Sequence, residues 1–189
     1  MTKHRFLIAA TLAAAVSAAA GAASAASNIA GPVGVPVTGH AVTFCTTGSL
    51  TNGTTVFDLG VLTDTTTGEL KNNIAPVSKT LNGAICNTAS TINVAAQPMT
   101  AQSFTIAPPS GFSRSVDYTA TASGWTTTPA VYETSQTTNG GATQSRNSAF
   151  SGPITVTLSG FSTTGGSTLR LVSDPNYLGA IVVTLAAGN

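Results

Sequence analysis

Charge is scarce in this chain: Asp, Glu, Lys and Arg make up 7% of its 189 residues. The few basic residues never cluster, so nucleic acid and anionic lipid surfaces are left without an electrostatic footprint. Cysteine occurs only at Cys45 and Cys86, and histidine only at His4 and His40. With His4 in an apparent leader, that set cannot supply a zinc site of the usual four-ligand type. There is no Cys-x-x-Cys, which removes the usual dithiol redox motif. Aromatic residues are 6% of the chain, with a single tryptophan, Trp125. Past the N-terminus no stretch approaches the roughly 20 apolar residues a spanning helix needs. Neither amphipathic helical periodicity nor an internal repeat is evident, which disfavours bundles and solenoids.

What is there begins with a leader. Lys3, His4 and Arg5 form a positive start, Phe6 to Val16 an apolar run, and Ala23-Ser24-Ala25-Ala26 a small-residue end with cleavage expected after Ala25 or Ala26. This is the pattern of a secretory signal peptide over residues 1–26. Its removal takes Lys3 and Arg5 and turns a net charge of +1 into −1. An exported chain meets an oxidising compartment, so Cys45 and Cys86 are expected to form a disulfide. Mean hydropathy is +0.27, which argues against disorder despite the scarcity of charge.

Period-2 alternation recurs along the mature chain. Val33, Val35 and Val37 alternate with Gly34 and Pro36; Val42 and Phe44 lead to Cys45; Phe57, Leu59 and Val61 follow. Leu81, Gly83 and Ile85 lead to Cys86, then come Ile92, Val94 and Ala96, and Phe104 with Ile106. Further on stand Val116 to Ala122, Ile154 to Leu158, Leu169 with Leu171, and Ile181, Val183 and Leu185. Alternation puts one set of side chains on one face, so each segment predicts a half-buried strand. Asn-Gly pairs at Asn52, Asn82 and Asn139 predict tight turns between them. Thr134 to Ser148 reads as a long mobile loop. The whole predicts an all-β sandwich or barrel over residues 40–189, with residues 27–39 as an N-terminal extension.

Candidate chemistry is thin. His40 would have to serve any Ser-His-Asp or Cys-His arrangement, and a surface position before a strand accounts for it better. Asp58, Asp64 and Glu69 lie near one another in sequence, as a carboxylate pair for glycoside hydrolysis would require. Turn caps explain them more simply, with Asp64 bonding a nearby backbone N–H. The expectation is therefore no enzyme, no metal and no cofactor.

The residues around both cysteines and the C-terminal run carry a resemblance. Val56-Phe57-Asp58-Leu59-Gly60, Gly83-Ala84-Ile85-Cys86 leading to Ile92-Asn93-Val94, and the ending Tyr177-Leu178-Gly179-Ala180-Ile181-Val182-Val183-Thr184-Leu185 resemble pilin subunits of the chaperone–usher class, in particular the spore-coat-protein-U-like (archaic) branch. The resemblance implies an immunoglobulin-like antiparallel β-sandwich with one disulfide, left incomplete in each subunit. It implies donor anchors at Val33, Val35 and Val37 and a groove-forming strand bearing Ile181, Val183 and Leu185. Subunits would assemble by β-strand addition with a periplasmic chaperone and usher. The expected role is an exported structural or adhesive subunit of a surface fibre or coat, in the periplasm or at the cell surface. The alternative is a monomeric secreted module for surface polysaccharide, using Trp125, Tyr132 and the loop from Thr134 to Ser148.

Overall fold

Alternating side chains become strands where a neighbour is there to pair them. A computed structural model describes residues 38–50 and 55–188. Of the first compact unit, Met1–Val42, residues 38–42 are described; they are exposed and without regular structure, His40 among them. The second unit, Thr43–Asn189, holds the strands. These are β1 (Cys45–Thr46), β2 (Ser49–Leu50), β3 (Val77–Cys86), β4 (Ser90–Ala101), β5 (Phe112–Ser113), β6 (Ser115–Ser123), β7 (Ala130–Glu133), β8 (Thr143–Arg146), β9 (Phe150–Thr163), β10 (Arg170–Leu171) and β11 (Tyr177–Ala187).

The main sheet runs β1-β3-β9-β6-β4-β11, with β2 added on β3, β7 on β6 and β8 on β4. Its neighbours are antiparallel; β5 and β10 form a separate two-residue parallel ladder. β4 and β6 pair only at Met99↔Val116 and Thr100↔Ser115. Away from that seam β4 takes β8 and β6 takes β7, so the sheet folds over into two layers. The protein is thus an all-β antiparallel sandwich. On the β7–β8 side the layers are tied by Val131 N–H to the Gly141 carbonyl and Val94 N–H to the Ala142 carbonyl, both 2.9 Å.

The core follows the alternation. Ile92, Val94 and Ala96 of β4 face Tyr118, Ala120 and Ala122 of β6 and Ile154, Val156 and Leu158 of β9, all buried. Trp125 is 0% exposed. Its ring lies 4.4 Å from that of Phe150, and the Arg146 guanidinium covers the other ring at 5.0 Å. Arg146 Nη1 also donates to the Trp125 carbonyl at 2.8 Å. The opposite faces of β3, β9 and β6 carry Ser78, Thr80, Thr155, Thr157, Thr119 and Thr121, which accounts for the abundance of threonine. Ser78 Oγ and Thr157 Oγ1 are hydrogen-bonded across strands at 2.8 Å.

The disulfide joins Cys45 to Cys86, which stand directly opposite in the β1–β3 ladder with Cα atoms 4.2 Å apart. Phe44 N–H donates to Asn87 Oδ1 and Asn87 N–H to the Phe44 carbonyl, so the ladder is extended past the bridge.

Several local expectations are corrected. Phe57 to Val61 is irregular chain: among the described residues no strand pairs with it to complete a ladder. Phe104 and Ile106 are likewise outside any strand, and Ile106 is exposed. Asn82-Gly83 is no hairpin turn: it sits inside β3, where the register shifts between Leu81 and Ala84 and Gly83 supplies a φ of 74°. The bulge turns Ala84 and Cys86 inward in place of Gly83 and Ile85. The segment from Thr134 to Ser148 contains β8, paired to the free edge of β4. Asn139 does turn the chain there, its Oδ1 accepting from Glu133 N–H at 2.7 Å. Asn52-Gly53 lies outside the described residues.

Candidate functional site: the open side of the sandwich

One side of the sandwich is not closed. β11 pairs with β4 through Ile181↔Ala96, Val183↔Val94 and Leu185↔Ile92. Among the described residues, no strand pairs with its other edge, and it ends the strand order. The burial of side chains registers the gap. Ile92 and Val94 are fully buried, whereas Ile181, Val183 and Leu185, on the same face one strand away, are only half-buried. In the other layer β3 behaves alike: Val77 and Leu81 are half-buried opposite buried Leu158 and Ile154. A closed sandwich would cover both columns. An unpaired edge above apolar side chains is a template for another strand.

The open side is partly filled. β1 approaches β11 at one end. At the other, clefts of about 460 and 310 Å³ lie between residues 55–62 and the start of β11; Met99 lines both, and Tyr118 and Leu158 floor the smaller. Phe57 and Leu59 reach in from the irregular segment and pack on the core. Lys79 stands opposite buried Val156 and therefore faces inward; its Nζ lies 5.7 Å from the Phe57 ring centroid. Lys79 shares the phase of Val77 and Leu81, so a charged residue on an apolar face is visible in the alternation.

Tyr118 holds the floor. Its hydroxyl reaches the carbonyls of Gln97 at 2.7 Å and Ala180 at 3.1 Å, tying β6 to β4 and β11 of the other layer. Ala180 adjoins a bulge in β11 at Gly179, where an added Cβ would come within 2.9 Å of the Gln97 carbonyl. Burial pushes the Tyr118 phenol up to about 12 from its ordinary 10.0. Since the folded pKa lies above the unfolded one, this contribution to stability is complete below pH 10 and is lost as pH rises toward 12. Tyr118→Phe is expected to cost about 1–2 kcal/mol near neutrality. It should also flatten the fall in urea midpoint across that alkaline window.

At the mouth, the Asp174 carboxylate accepts from Ser103 N–H and Phe104 N–H, both at 2.7 Å, and from Asn176 N–H at 2.8 Å. Desolvation pushes this carboxyl up, but the backbone donors together outweigh it and hold it below its ordinary value. These bonds fix the loop entering β11. Asp64 Oδ1 caps Thr66 and Thr67, and Asp58 Oδ1 caps Gly60, so these two acids serve as turn caps. Among the described residues, no group of three or more His, Cys, Asp or Glu side chains is arranged to hold a metal. Trp125, wholly buried, offers no face on which a sugar could stack. Val33, Val35 and Val37 lie outside the described residues.

No family model, curated protein or solved structure matches the chain. No helix among the described residues is long and apolar enough to cross a membrane.

Proposed function

We propose that this protein is an exported structural or adhesive subunit of a cell-surface fibre or coat, assembled by strand addition at β11. One observation carries the reading: the unpaired edge of β11 coincides with the half-buried columns Ile181-Val183-Leu185 and Val77-Leu81. A strand laid along that edge would add backbone hydrogen bonds and cover both columns at once. The alternating Val33, Val35 and Val37 of a neighbouring copy have the matching period. The leader-like residues 1–26 and the Cys45–Cys86 disulfide support an exported, oxidising location at the periplasm or cell surface. Delivery by a periplasmic chaperone and usher belongs to the same reading. The test is assembly of the mature chain with and without Ser27–Gly39, measured by sedimentation. The full chain should form concentration-dependent oligomers, and the shortened chain should stay monomeric.

A further inference from the structure

The groove already has a tenant. Phe57 and Leu59 pack on the core from residues 55–62, while their neighbours Val56 and Val61 are 69% and 62% exposed. The segment therefore presents alternate side chains to the open side, as an inserted strand would. Its backbone does not follow: residues 55–62 have no strand structure, and Gly60, at a φ of 63°, bonds back to Asp58 Oδ1 at 2.8 Å. Phe57 is held from the far wall by the Lys79 ammonium, 5.7 Å from its ring centroid.

We propose that residues 55–62, through Phe57 and Leu59, are a built-in plug that fills the groove of a lone subunit and is displaced by the incoming strand. This rests on the strand-addition reading above. The plug hides apolar surface that would otherwise promote unspecific association. It leaves the β11 edge unpaired, so an incoming strand exchanges side chain for side chain and gains backbone hydrogen bonds in addition. Replacement is thus favourable once it occurs, and the plug sets how fast it occurs. A competent subunit in which the plug has swung out is a minor state, so apparent association falls in proportion to its population.

The test uses the monomeric fraction of the full mature chain and a fluorescein-labelled synthetic peptide of residues 27–39. Phe57→Ala is expected to speed peptide binding about tenfold by raising the open population. Ile106→Ala, at an exposed residue outside the segment and the clefts, should leave the rate unchanged. Equal rates for the parent and Phe57→Ala would overturn the plug while leaving strand addition standing. No peptide binding to either chain would overturn strand addition and the plug together. Should Phe57→Ala fail to fold, chymotrypsin cleavage after Phe57 in the parent serves instead. It should quicken when peptide is added, and an unchanged rate on a peptide-bound chain would overturn the plug.

Discussion

A chain carrying Cys45→Ala and Cys86→Ala is expected to unfold about 4 kcal/mol more easily than the oxidised parent. The bridge spans a sequence separation of 41, which sets the entropy it removes from the unfolded chain. β1 and β3 place the two residues directly opposite each other, so the bridge joins neighbours in one ladder. β1 is only two residues long and borders the open side, so little else retains it. The loss should therefore include local release of β1 from β3 as well as a lower global midpoint. Urea unfolding with and without reductant measures it, and the reduced parent should match the double variant. A difference below about 1 kcal/mol would show that β1 is held by packing alone.

The second large effect is on assembly. Deleting Ser27–Gly39 should abolish oligomers while leaving the disulfide and the urea midpoint of the monomer intact. The segment carries no charged residue, and its valines recur every second position. Side chains at that period reach one face of a sheet only, and a groove floored by Met99, Tyr118 and Leu158 is such a face. A single Val35→Asp should act in the same direction as the deletion, since it would bury an unpaired carboxylate against that floor. Oligomers formed equally by the shortened chain would show that the β11 edge is served by some other surface.

Much of this architecture can be read from residue order, for a physical reason. β4, β6, β9 and β11 each have one face on the core, so hydrophobic alternation records their orientation directly. The pairing of Cys45 with Cys86 follows from compartment and count. Other features depend on partners distant in sequence. Phe57 and Leu59 alternate like a strand because both dip into the groove, yet among the described residues no strand pairs with them. Thr143–Arg146 carries little apolar signal and becomes β8 because β4 offers a free edge. Asn82-Gly83 has turn chemistry, which serves a bulge equally well when flanking residues are paired on both sides. The Tyr118 hydroxyl contacts could not be foreseen, since they reach carbonyls 21 and 62 residues away.

The most direct test of an open β11 edge is residue-resolved hydrogen exchange of its amides. In an edge strand every second N–H points away from its one neighbour. Between Ile181 and Leu185, amides facing away from β4 should exchange quickly in the monomer and become protected in the assembled form or with the peptide of residues 27–39 bound. Protection of those amides already present in the monomer, or fast exchange persisting after assembly, would contradict the account.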